Sequence, residues 1–382
     1  MKILLVAMPS LHFYRWSEQL QAAGHELYWF NITDGGAAVS RIDFMRQKYG
    51  WKLKWDYPGR TFVKAKFPKL YAFLQKFNEN NTTQVFENYV NEVQPDVVHS
   101  FAMQVACLPI LKVMLKYPKI HWMYSSWGSD VFYRKELGIP ETDFQTVIHR
   151  INSYTSDCNR DYQTIQSLGF SGKFLGIFPG NGGISMENFE AIKPKNERNT
   201  IFIKVYDDAI GQGNKIIQAL DNELIQKIKA YQLVLLGANP ELEQLLKKEQ
   251  FQNLRIICIP KEQPITNEKV LELLNDTLLY IGNSLSDGMP NVLLEAMSKG
   301  AFPIQSNPGK VTEEVIVDGK NGFLIHDPLS ITEIRAIIHR FFDTFDTLNE
   351  YQKYNYDLIN KQYNRNQLQS KIQQAYDIAV QD

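Results

Sequence analysis

Short runs of consecutive apolar residues recur along the chain, each bounded by turn-forming residues and separated from the next by helical spacing. KILLVA at Lys2–Ala7, DVVH at Asp96–His99, QLVLL at Gln232–Leu236 and LRIICI at Leu254–Ile259 are of this kind. Within each run apolar residues are continuous rather than alternating, which predicts strands buried on both faces of a parallel sheet, covered by the intervening helices. From Tyr351 onward the chain is polar and rich in Gln and Asn. It still carries helical spacing in Leu358, Ile359, Tyr363, Leu368, Ile372 and Ala375, which predicts one long helix. No internal repeat or low-complexity segment stands out. At 382 residues the chain is too long for one typical domain and suits two of a doubly wound type, and 44% hydrophobic residues supply two cores.

The most informative segment is NSLSDGMPNVLLEAMSKGAFPIQSNPGKVTEEVIVDGKNGFLI, Asn283–Ile325. Pro290 suits the first position of a helix, where no N–H is needed, and Val292, Leu293, Leu294, Ala296 and Met297 continue it until Gly300. Amides of Gly288, Met289, Asn291 and Val292 fall in or beside the unsatisfied first turn, where the helix dipole also favours a diphosphate. Asn291 and Glu295 are four apart and share a face. Glu295 is thereby placed to accept hydrogen bonds from vicinal ribose hydroxyls, and Asp287, in the preceding loop, to meet the hexose. The competing reading is an ordinary α/β turn with a solvated Asp and Glu.

This segment resembles the signature of the retaining glycosyltransferases of family 4, S-x-x-E-G-[MF]-[PG]-x-x-x-L-E-A. Ser284, Gly288, Met289, Pro290, Leu294, Glu295 and Ala296 match in place, followed by GAFPI and DGKNGFLI. Asp287 stands where most of the family has Glu, which shortens its reach to the sugar by one methylene. The resemblance implies a GT-B fold: two Rossmann-like parallel-sheet domains facing a central cleft, with a C-terminal helix crossing back to the first. It places an acceptor-side domain at 1–178 together with a helix at 360–382, and a donor-binding domain at 179–359. The link is expected near Gly176–Lys195, where Gly182 and Gly183 would let backbone approach the phosphates or the sugar, a plain hinge being the alternative. The implied donor-binding set is Gly182, Gly183, Lys204, Ser284, Ser286, Asp287, Gly288, Met289, Pro290, Asn291, Val292 and Glu295.

The resemblance extends to WGSD at Trp127–Asp130, after a probable strand in IHWMYSSWGSDV. Many members have His where this chain has Trp127, and a branch carries WGSD together with SDG[TM]P. Trp127, Gly128 and Ser129 are therefore acceptor-side candidates, Trp127 by stacking on a sugar face, and Asp130 is a candidate acceptor ligand or weak base. In the alternative, Trp127 packs in the core and Asp130 caps a helix. His12 and Arg15 follow the first strand and complete the acceptor-side set. The family clamps the departing diphosphate with an Arg and a Lys. Lys204 takes the Arg position, Gln212 falls near the Lys position, and Lys215 is the residue that could compensate. The catalytic candidates are Asp130, Asp287 and Lys204. No metal is expected, since Tyr206-Asp207-Asp208 lacks Asp-x-Asp spacing, and no cofactor beyond the donor.

The implied function is transfer of a hexose-type sugar, with retention, from a nucleoside diphosphate sugar to a saccharide acceptor, lipid-linked or soluble, in bacterial surface polysaccharide biosynthesis. The alternatives are a sugar-nucleotide epimerase or phosphorylase on the same fold, or a non-catalytic subunit that binds a nucleotide sugar.

Charge is uneven. The chain carries -1 overall, yet Arg41–Lys76 holds ten basic residues against two acids, interleaved with nine aromatics. That mixture suits an anionic membrane surface. Nucleic acid offers the same complementarity and is not taken as the partner. The alternative is a solvated helical face whose aromatics pack inward. No run reaches membrane-spanning length and the amino terminus reads as a strand, so a cytoplasmic protein is expected, peripheral on the membrane if the basic segment binds lipid. Cys107, Cys158 and Cys258 are expected to be reduced core thiols.

Overall fold

The computed structural model describes residues 1–381 and divides into two compact units. The first comprises Met1–Asp157, Asp161–Gly182 and Gln369–Asp382; the second comprises Cys158–Arg160 and Gly183–Leu368. Apart from the short excursion at Cys158–Arg160, the chain changes unit at 183 and 369, where the sequence suggested 179 and 360.

The first unit is built on β1 (Lys2–Ala7), β2 (Glu26–Asn31), β3 (Arg46–Lys48), β4 (Val97–Phe101), β5 (His121–Ser125), β6 (Ser153–Ser156) and β7 (Lys173–Ile177). They form one parallel sheet in the order β3-β2-β1-β4-β5-β6-β7. The order reverses between β1 and β4, so the chain diverges there and leaves a crevice at the carboxyl ends of the two strands. Ile3, Leu4, Leu5 and Val6 are fully buried, which is why β1 reads as an unbroken apolar run.

In the second unit β8 (Thr200–Lys204), β9 (Gln232–Ala238), β10 (Arg255–Pro260), β11 (Thr277–Gly282), β12 (Phe302–Ser306) and β13 (Phe323–Ile325) form a parallel sheet, β10-β9-β8-β11-β12-β13. Here the reversal lies between β8 and β11. Ile201 and Ile203 pack into one core layer and Phe202 into the other, so the sheet is covered on both faces. β10 is an edge strand and half of its residues are exposed, which leaves Cys258 at the surface instead of in the core. Cys107 and Cys258 are free thiols.

The long helix expected after Tyr351 is two, Tyr351–Tyr363 and Arg365–Ala379. Asn364 between them is extended (φ -62°, ψ 120°). The break frees backbone for pairing: Ile184 N–H donates to Tyr363 O at 2.7 Å and Arg365 N–H to Ile184 O at 2.9 Å. The second of these helices joins the first unit through a buried polar chain. Trp16 Nε1–H donates to the Tyr376 hydroxyl at 2.9 Å, that hydroxyl meets His99 Nδ1 at 2.6 Å, and His99 Nε2 meets Ser125 Oγ at 2.7 Å. Burial holds His99 well below the usual histidine pKa, so the ring is neutral.

Candidate functional site

In the second unit the predicted residues gather at the carboxyl ends of β8 and β11, on either side of the point where the strand order reverses. Lys204 ends β8. The loop 283–290 follows β11 and leads into the Asn291–Ser298 helix, which starts one residue later than the sequence suggested. Pro290 is the N-cap, its backbone extended (φ -67°, ψ 117°), a conformation its ring already favours. Leu294 N–H is the first amide bonded back to Pro290 O, at 3.2 Å, and no side chain caps this end. The other end is closed by a Schellman pattern. Gly300 (φ +81°) donates to Met297 O and Ala301 to Ala296 O, both at 3.0 Å.

Lys204 Nζ lies 3.6 Å from Asp287 Oδ2, and both side chains are roughly a quarter exposed. Lys204 also faces the Tyr206 ring at 5.9 Å, and Lys261, a residue the sequence reading did not single out, faces the same ring at 5.8 Å. Lys261 is paired with Asp208 at 3.1 Å, and Gln212 stands where a Lys was expected. Gln212 N–H instead donates to Asn283 O at 3.0 Å and helps fix the loop, and Lys215 sits in the first turn of the Asn214–Ala219 helix.

Glu295 is 3% exposed and accepts a hydrogen bond from Asn267 Nδ2 at 3.0 Å. Ser284, Ser286 and Met289 are buried with it, and Ser284 N–H donates to Ser306 Oγ at 2.9 Å. Arg160 fixes the loop from another side: it donates to Asp287 O at 2.8 Å and to Pro308 O at 2.9 Å. Asn267 and Arg160 were not legible, because nothing in the sequence ties them to residues 28 and 127 positions away.

Beneath the loop lies polar capacity that the fold leaves unused. The Tyr280 hydroxyl, Ser286 Oγ and Gln305 Oε1 are buried with no hydrogen-bond partner among the described residues. Burial, then the charges of Asp287 and Glu295, push the Tyr280 hydroxyl pKa far up, so it is a neutral donor. Gly282 makes the room: a Cβ there would stand 2.3 Å from Gln305 Oε1 and 2.8 Å from the Tyr280 hydroxyl. Buried polar groups are ordinarily satisfied, so such a cluster beside a Lys, two carboxylates and an open helix N-terminus fits a polar, anionic ligand.

The glycine pair lies elsewhere. A Cβ on Gly182 (φ +71°) would meet Gln19, whose amide donates to Gly182 O at 2.5 Å; one on Gly183 (φ +111°) would lie 2.8 Å from Arg365 Cα. Their conformational freedom serves close backbone packing where the chain changes unit.

In the first unit His12 and Arg15 lie on the Leu11–Glu18 helix after β1, and Trp127 follows β5. Exposed His12 meets half-buried Trp127 edge-on, with centroids 6.4 Å apart, and Trp127 packs on Phe101 at 4.7 Å. These rings form a shelf at the carboxyl edge of the sheet. Gly128 N–H donates to Asp157 Oδ2 at 3.3 Å, and Ser129 O accepts from Tyr133 N–H. Asp130, expected to meet an acceptor, is instead 4% exposed, its Oδ2 accepting from Met103 N–H at 2.6 Å and from the Tyr124 hydroxyl at 2.7 Å. Desolvation raises its pKa to about 7. It caps the turn after β4, and this burial removes it from the catalytic candidates.

Residues 186–358 match the family described as Glycosyl transferases group 1. Among solved structures, sucrose-phosphate synthase from Thermosynechococcus elongatus is 14% identical, with a TM-score of 0.72 over 99% of this chain and 98% of that one. Anabaena Alr3699/HepE, in complex with UDP and glucose, is 11% identical, with a TM-score of 0.66 over 99% and 100%. The lipopolysaccharide outer core galactosyltransferase WaaB in its apo form is 15% identical, with a TM-score of 0.65 over 100% and 99%. The chain has the GT-B fold. The family match, over the second unit, supports glycosyltransferase activity, and the likeness to these structures shows the fold. No curated protein matches the chain in sequence.

Proposed function

We propose that this GT-B protein is a retaining glycosyltransferase that moves a hexose-type residue from a nucleoside diphosphate sugar to a saccharide hydroxyl in surface polysaccharide synthesis. The observation that carries the reading is the convergence of Lys204, Asp287 and Glu295 around the uncapped N-terminus of the Asn291–Ser298 helix. In this reading the diphosphate lies on the helix N-terminus and displaces Asp287 from Lys204, freeing the carboxylate for sugar hydroxyls. Glu295, oriented by Asn267, takes the ribose hydroxyls. The acceptor side is the His12–Trp127 shelf with Arg15, and the binding of UDP and glucose by HepE is a parallel for the donor.

As the bond from the anomeric carbon to the diphosphate oxygen breaks, negative charge grows on the leaving group, where Lys204 and the helix dipole stabilise it. The acceptor oxygen bonds to the same face of that carbon, and its proton passes to a leaving phosphate oxygen. No protein base is then needed, in keeping with the burial of Asp130. The helix and Lys204 take the place of a metal.

The test is a panel of uridine, guanosine, thymidine and adenosine diphosphate sugars with saccharide acceptors, the products read by anomeric proton NMR. One donor should yield a glycoside of unchanged anomeric configuration. An inverted product would overturn retention; an epimerised free sugar, a sugar phosphate, or binding without turnover would overturn transfer.

A further inference from the structure

All six exposed Tyr, Trp and Phe side chains among the described residues lie between Tyr49 and Phe77: Tyr49, Trp55, Phe62, Phe67, Phe73 and Phe77. The same stretch contains seven basic residues and a single acid, Asp56. The sequence allowed these aromatics to pack inward beneath a solvated face. Of the nine aromatics at Arg41–Lys76, Trp51 is buried and Phe44, Tyr57 and Tyr71 are half-buried, while the other five face outward.

The Pro68–Asn78 helix is mounted with its apolar side outward. Leu70, Phe73 and Phe77 recur at one helical face and are 50%, 56% and 59% exposed, while Gln75 and Asn78, on the opposite side, are buried. Asn78 makes that polar side a fixed anchor: its Oδ1 accepts from Trp55 N–H at 3.0 Å and its Nδ2 donates to Trp55 O at 2.9 Å. The strand-like segment before it is held in turn, with Trp51 buried and donating to Asn31 O at 2.9 Å. The preceding Arg60–Lys66 helix buries no residue at all and presents Phe62, which meets Phe67 edge-on at 6.2 Å. Lys69 and Lys76, seven apart, line one shoulder of the outward face.

We propose that this face is a membrane-docking surface whose occupant is the headgroup layer of an anionic bilayer. A protruding apolar ridge flanked by lysines fits a layer that is apolar beneath and negative above; phenyl rings enter the acyl boundary while ammonium groups stay among phosphates. A second copy of the chain is a poor occupant, because a two-fold contact would set this basic face against itself. The proposal does not rest on the glycosyltransferase reading.

Co-sedimentation with phosphatidylcholine vesicles, with and without phosphatidylglycerol, tests it on the full chain. Binding should require phosphatidylglycerol and weaken with added salt, with a blue shift of the Trp55 fluorescence. Phe73→Ser with Phe77→Ser should abolish it, and each Lys→Gln at Lys64, Lys66, Lys69 and Lys76 should lower partitioning about fivefold, the factor that about 1 kcal/mol per cation gives. These side chains are largely exposed, so circular dichroism should match the native protein. Failure of the native chain to sediment with anionic vesicles at low salt, or native-like sedimentation of the double Phe variant, would overturn the proposal. So would light scattering that shows a dimer dissolved by the same variant.

Discussion

Glu295 and Lys204 act on different parts of the same bound nucleotide in this reading, and their replacements should separate. Glu295→Gln keeps the shape of the side chain but removes the charge that strengthens hydrogen bonds from ribose hydroxyls, so nucleotide affinity should fall by about 1–3 kcal/mol in calorimetry. Unchanged affinity would take Glu295 out of the site. Lys204→Met should lower kcat more than it weakens binding of the donor, because its charge meets the leaving group mainly as the bond breaks; a pure KM effect would assign it to ground-state binding. Asp287 and Glu295 could be named from the sequence because the helix start and the spacing of the acids are local, and Lys204 because the family resemblance places it at the Arg position of the clamp. Asn267 and Arg160 could not, since they reach the site through the fold alone. Asp130 misled for the converse reason: WGSD marks the carboxyl end of β5, and only the packing of Tyr124 and Met103 turns that carboxylate inward.

Among the elements, parallel strands buried on both faces were the most legible, because two-sided burial leaves an apolar run whatever its neighbours. β3, three residues of Arg-Gln-Lys at a sheet edge, carries no such mark. The break at Asn364 was equally silent, since Leu368, Ile372 and Ala375 keep helical spacing beyond it and the interruption comes from pairing with Ile184. That crossing makes a sharp prediction. Gly183→Ala would place a methyl 2.8 Å from Arg365 Cα at φ +111°, and should cost about 1–3 kcal/mol in urea unfolding; a neutral result would mean the crossing relaxes freely. Tyr376→Phe tests the Arg365–Ala379 helix. It would leave Trp16 Nε1 and one His99 nitrogen buried without their partner, at about 1–3 kcal/mol for each group, and should lower the urea midpoint accordingly.

For the whole molecule, acid stability carries the signature of two groups of opposite sign, one buried and one half-buried. Folded Asp130 keeps its proton up to about pH 7 against an ordinary value of 3.8, so its contribution is fully present at low pH and is lost as pH rises through that window. His121, held down to about 4 by desolvation and by the charges of Lys173 and Arg150, contributes above the ordinary histidine value of 6.5 and loses that contribution as pH falls. Asp130→Asn should therefore gain in Tm relative to the native chain between about pH 4 and 7; a constant difference across that range would refute the assignment. The assignment of Gln369–Asp382 to the first unit also bears on synthesis. The second unit is closed by Leu368, so on the ribosome its sequence is complete before Tyr376 has been made. Until then Trp16 and His99 lack the hydroxyl that joins them, and the first unit, although translated first, is the later of the two to be finished.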